Sequence, residues 1–168
     1  MEGTRSSARS LRTVFILRHA EKPPQGPHLS DTGYKRARAL VSLFGDCFCK
    51  PDALFAAANK PKSSRPVETL EPLAAALGLT IKAEFGTMEV DRLAEHLRSP
   101  SAPAGRIVLI SWRQDGIPLL ARALGAHDAP THWPEPVFDR VWRLLFLADG
   151  PVRFADLAQG LQPGDASS

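Results

Sequence analysis

A short apolar, β-branched run from Thr13 to Leu17 ends in Arg18-His19 and then in the loop Ala20-Glu21-Lys22-Pro23-Pro24. Imidazole is a nucleophile near neutral pH, and a positioned neutral ring nitrogen can take up a phosphoryl group. A guanidinium beside it offers a fork of donors that matches two phosphate oxygens. The dipeptide alone says little, because a loop histidine can equally serve as a structural hydrogen-bond partner. Its place at the end of a buried strand, before a proline-stiffened loop, makes it a candidate.

The elements that must position this pair follow from the pattern along the chain. Residues 13–17 read as a buried strand. Ser30 is a helix N-cap with Asp31 in the first turn, and the helix runs to about Phe44, where Gly45 stops it. Leu40, Leu43 and Phe44 form its buried stripe. A second strand lies in 53–57, a polar loop in 59–64, and a helix in 65–77 closed by Gly78. A third strand is expected over 79–83 and a helix over 90–98. Arg106 to Ser111 is the clearest strand, followed by a helix over 116–124 and a loop holding Pro130, Pro134 and Pro136. Segments 141–147 and 152–155 read as an antiparallel pair around Asp149-Gly150. Strands alternating with helices predict an α/β fold, a single-domain three-layer sandwich with a mostly parallel sheet and helices on both faces. Such sheets carry their chemistry in loops beyond the carboxyl ends of strands. The loops after Leu17 and after Ile110 are the two of interest.

Composition narrows the function. A chain of 168 residues, 43% hydrophobic and 23% charged, is an ordinary globular protein rather than a disordered or collagen-like one. No apolar run approaches the ~20 residues of a membrane span. Residues 1–12, with Arg5, Arg9 and Arg12, read as a flexible tail rather than a transit peptide, the domain as 13–157, and 158–168 as a second flexible tail. The expected location is cytoplasmic. A net charge of +3 is too small and scattered for nucleic-acid binding, but suits a basic pocket for an anion. Cys47 and Cys49 are too close for an easy disulfide and read as reduced packing residues. The acids do not cluster as metal ligands, so no metal is expected. Trp112, Trp133 and Trp142 read as packing residues.

Five segments together resemble the histidine phosphatase superfamily, also called phosphoglycerate mutase-like. They are Phe15-Ile16-Leu17-Arg18-His19-Ala20, Leu29-Ser30-Asp31-Thr32-Gly33, Arg65-Pro66-Val67-Glu68-Thr69, Val108-Leu109-Ile110-Ser111-Trp112 with Ile117-Pro118, and Phe138-Asp139-Arg140-Val141-Trp142. They extend from residue 14 to 142 in the family's order.

The resemblance implies His19 as covalent nucleophile, with Arg18 and Arg65 as donors to the phosphoryl oxygens. It also exposes a departure, since Gln114 stands where the family carries a second histidine. An amide can donate to a phosphate oxygen but brings no charge and shuttles no proton. Arg113 can compensate only by turning inward, and its position in a family-like loop points it elsewhere. His127 and His132 read as solvent-facing. For the general acid the family's two branches imply either Glu89 (with Glu84 beside it) or Asp115, and Glu89 is preferred. Glu21 reads as a surface charge. The implied function is hydrolysis of a small phosphate monoester through a phosphohistidine on His19, with reduced activity and without metal or organic cofactor. The rival is a catalytically impaired phosphate-binding or regulatory module of the same fold. Substrate and oligomeric state stay open.

Overall fold

The computed structural model describes residues 11–168. The expected N-terminal tail therefore lies outside the described residues, except for Leu11 and Arg12, which open strand β1 (Leu11–Arg18). Its apolar run is buried on both faces, as a central strand requires. Helix α1 (Asp31–Ser42) starts where predicted: the Ser30 hydroxyl accepts the Gly33 N–H at 3.1 Å. It runs into a π-helical turn, Leu43–Cys47.

Strand β2 (Ala53–Ala56) leads to helix α2 (Arg65–Leu77), which has Pro66 in its first turn and ends at Gly78 with φ 66°. The strand expected over 79–83 shrinks to β3 (Ile81–Lys82). Its start is lost because the Leu79 N–H still closes the end of α2 on the Ala74 carbonyl. Helix α3 (Val90–Leu97), strand β4 (Arg106–Trp112), helix α4 (Ile117–Ala123), and strands β5 (Arg140–Leu145) and β6 (Arg153–Ala158) complete the chain.

The sheet order is β3-β2-β4-β1-β5-β6. Strands β3, β2, β4 and β1 run parallel, while β5 is antiparallel to both β1 and β6. Alternation along β1 divides the core: Phe15 and Leu17 face the side covered by α1 and α2, Val14 and Ile16 the side covered by α3 and α4. Parallel order puts the carboxyl ends of β1, β2 and β4 on one edge, so the loops that follow them meet there.

Three further expectations change. Cys47 and Cys49 are free and exposed, not packing residues. Phe48 between them takes the inward direction and stacks on Phe15 with ring centroids 5.6 Å apart. The segment after β6 is also packed rather than a loose tail. Arg36, itself buried, donates to Gln159 at 2.9 Å and with both terminal nitrogens to the Asp165 carboxylate at 2.8 Å. Its Nε reaches Glu21 at 2.7 Å, so Glu21 is part of a buried network instead of a surface charge. The three tryptophans are buried, as expected.

Candidate active site

His19 sits one residue past β1, and its N–H donates to the Trp112 carbonyl at the end of β4 at 2.9 Å. The loop it starts is held from three sides. The Ala20 N–H donates to Thr69 Oγ1 on α2 at 2.9 Å, and the Glu21 carbonyl accepts from Ser30 N–H at 2.9 Å. Gly33 packs so close to Glu21 that an added Cβ would overlap its carbonyl oxygen. Gly33 is therefore a requirement of loop–helix contact.

His19 is only 4% exposed. Its Nδ1 lies 2.8 Å from the Ala20 carbonyl, which can only accept, so Nδ1 carries the proton and Nε2 keeps its lone pair. Burial, reinforced by Arg18, Arg65 and Lys22, pushes its pKa from 6.5 down to about 4. The ring is thus neutral at physiological pH, with the Nε2 lone pair free.

Arg18 lies buried beside it. One terminal nitrogen donates to the Glu135 and Val137 carbonyls, and the guanidinium stacks 3.8 Å from the Phe138 ring centroid. Its Nε and Nη2 are buried without a partner, as is Arg65 Nε. Desolvation lowers the Arg18 pKa to about 10 and also lowers that of Arg65, which stays charged at neutral pH. Unpaired buried guanidinium donors are costly, and an anion in reach would satisfy them. Arg65 reaches in from the first residue of α2, anchored by the Gly26 carbonyl at 2.8 Å.

His19 and Arg65 border a cavity of about 360 Å³ at the strand ends, lined also by Gln114, Lys22, Lys60, Lys62, Arg113 and Glu135, whereas Arg18 lies buried behind His19 and does not line it. Three expected residues are thus brought together. Arg113 lines the cavity too, contrary to the expectation, with its Nε 3.1 Å from Asp115. Both side chains of that pair are more than half exposed, so Arg113 can swing without disturbing the core.

The expected acids are elsewhere. Glu89 does not line the cavity: it precedes α3, accepts the Gly86 N–H at 3.1 Å and pairs with Arg92. Those two partners, the backbone donor first, hold its pKa below the usual carboxylate range. Asp115 is turned to Arg113, and Glu84 does not reach the cavity. His127 and His132 are exposed and do not line it. The carboxylate that does line it, Glu135, escaped the sequence reading. Glu135 sits in the proline-rich loop before β5, and only the fold carries it to Arg18, 117 residues earlier, which donates to its backbone carbonyl. Among the described residues no cluster of metal-ligating side chains occurs.

No protein-family model and no curated protein matches the sequence. Solved structures do. The protein histidine phosphatase SixA complexed with tungstate is similar at TM-score 0.59 and 16% identity, over 88% of this chain and 97% of that one. Phosphoglycerate mutase from Plasmodium falciparum gives TM-score 0.58 at 15% identity, over 93% and 96% of the two chains. A mycobacterial glucosyl-3-phosphoglycerate phosphatase with inorganic phosphate gives 0.53 at 16%, over 88% and 97%. At these identities the likeness is one of architecture. The chain has the α/β fold of the histidine phosphatases and of phosphoglycerate mutase.

Proposed function

We propose that this chain is a histidine phosphatase that hydrolyses a phosphate monoester through a phosphohistidine on His19. The observation that carries the reading is the state of His19: proton fixed on Nδ1 by the Ala20 carbonyl, and a pKa near 4, at the wall of a cationic cavity.

In the first step Nε2 attacks phosphorus, an N–P bond forms, the ester P–O bond breaks, and the leaving oxygen takes a proton. Water then attacks phosphorus, the N–P bond breaks, and neutral His19 and inorganic phosphate result. Charge on the equatorial oxygens is met by the free donors of Arg18 and Arg65 and by the Gln114 amide. Glu135, the carboxylate on the cavity wall, takes the proton-transfer role in place of Glu89 or Asp115.

Gln114 also supports a second reading, a phosphate-binding module whose turnover is blunted. Losing one preorganised donor of the family type costs about 10² to 10³ in rate. Hydrolysis of an aryl phosphate separates the two. We expect turnover that disappears in His19→Ala and rises in Gln114→His. A native rate no greater than that of His19→Ala, with activity only in Gln114→His, favours the binding module.

A further inference from the structure

Strand β5 runs against β1, so its last residue, Leu145, pairs with Thr13 at the edge of the sheet opposite His19. A second cavity, of about 270 Å³, opens there. Cys47 and Cys49 both line it, with Arg12, Arg143, Phe146 and Leu147 among its other walls. None of the described residues that line it is acidic. Arg143 Nε is buried without a partner, and such a donor is costly until an anion comes within reach.

The two thiols are free and exposed, and the fold keeps them from pairing with each other. Phe48 between them is pinned twice. Its N–H donates to the Leu43 carbonyl at 2.8 Å, and its ring packs on Phe15 and Phe44 with centroids 5.6 and 5.5 Å away. Its backbone is extended, with φ −105° and ψ 164°. An extended residue sets the flanking Cα atoms about 7 Å apart, at the far limit of what a disulfide spans. Closing the pair would pull Phe48 out of the core. Exposed thiols beside cations are the ones that exchange with disulfides, and a pair that cannot close keeps what it captures.

We propose that Cys47 and Cys49 form a modification site for a small disulfide bearing carboxylates, one half of which stays on the protein with its carboxylates on Arg12 and Arg143. The thiolate of either cysteine attacks one sulfur of the small disulfide. A new S–S bond to the protein forms, the old S–S bond breaks, and the departing thiolate takes the proton that the cysteine released. The cysteine is thereby oxidised and the departing half reduced. In most dithiols the neighbouring thiol then expels the captured half as an internal disulfide forms. Pinned Phe48 blocks that second exchange, so the adduct persists until an external thiol removes it. The site lies across the sheet from His19 and does not depend on the phosphatase reading.

The test exposes the reduced chain, at fixed ionic strength, to glutathione disulfide, whose halves carry carboxylates, or to cystamine, whose halves carry ammonium groups. Intact mass should show one glutathione half per chain, mapped to Cys47 or Cys49 and removed by dithiothreitol. The rate ratio of glutathione disulfide to cystamine is divided by the same ratio for the urea-unfolded chain, which cancels intrinsic reactivity. The quotient is expected to be about ten or more, the size of one good charge-assisted contact. Arg12→Gln, at an exposed position where folding is not at stake, should lower it severalfold. Adding Arg143→Gln should bring it to one. A quotient of one in the native chain overturns the proposal, as does a preference that Arg12→Gln leaves unchanged or that survives loss of both arginines. Loss of two hydrogens in place of an adduct, the mark of a disulfide between Cys47 and Cys49, overturns it too.

Discussion

At the scale of single residues, the chemistry turns on how His19 is kept neutral. The unfolded chain takes up a proton at this position as pH falls through 6.5, whereas the folded chain resists until about 4. Between those values the unfolded state binds more protons, so stability falls with pH across that window and levels off below it. The loss amounts to about 3 kcal/mol for a histidine this buried. Urea midpoints measured from pH 7.5 to 4 should show it in the native chain and lose that component in His19→Ala. Glu135 gives a second prediction. Glu135→Gln should slow alkyl phosphates, whose leaving oxygen needs a proton, by about 10² or more, and aryl phosphates much less. A uniform loss across leaving groups would remove Glu135 from the proton transfer. Sequence reasoning reached Arg18 and His19 because they close a recognisable strand, and Arg65 and Gln114 only through the resemblance of their segments to a family's motifs. It preferred Glu89 to Asp115 and never reached Glu135, because nothing local shows that the Gly86 N–H and Arg92 occupy the first carboxylate, or that a proline-rich loop folds back over the site.

At the scale of elements, the close approach of α1 to the nucleophile loop is the sharpest constraint. Gly33→Ala pushes a methyl into the Glu21 carbonyl, and backbone cannot move aside as a side chain can. The expected cost is about 1–3 kcal/mol, with a fall in kcat because the displaced segment begins at His19. Thermal melts and steady-state rates on the same variant check both parts. Gly116 plays a similar part at the other loop, since its Cβ would lie 2.7 Å from Trp112 Nε1, the group that bonds Thr87. Strand and helix limits were legible within a few residues from periodicity, capping and the glycine stop at Gly78, but Gly45 stops nothing, since a π-helical turn runs through it. The exceptions are places where hydrogen bonding overrides pattern, such as the short β3 beside the C-cap of α2.

At the scale of the molecule, residues far apart in sequence converge on Arg36. Glu21 lies two positions past the nucleophile, while Gln159 and Asp165 come after the last strand. The Arg36 and Asp165 side chains are 5% and 7% exposed, and the ion pair holds the Asp165 pKa low. Breaking a buried pair by removing one partner costs about 3–5 kcal/mol. Asp165→Ala should therefore melt earlier and, through Arg36 and Glu21, lower kcat with little change in KM. An unchanged kcat would confine the network to stability. Periodicity says nothing about such a junction, because the segment that supplies Asp165 has no regular structure and reads as a loose end.

That junction also bears on synthesis at the ribosome. The strands that align His19, and the helix that carries Arg65, are complete well before the chain reaches Gln159. The guanidinium of Arg36 must meanwhile wait for its carboxylate, 129 residues downstream. A nascent chain with Asp165 still inside the exit tunnel has its sheet but an unlatched loop after His19. The latch on the loop that begins at His19 should thus close late, after the core has formed.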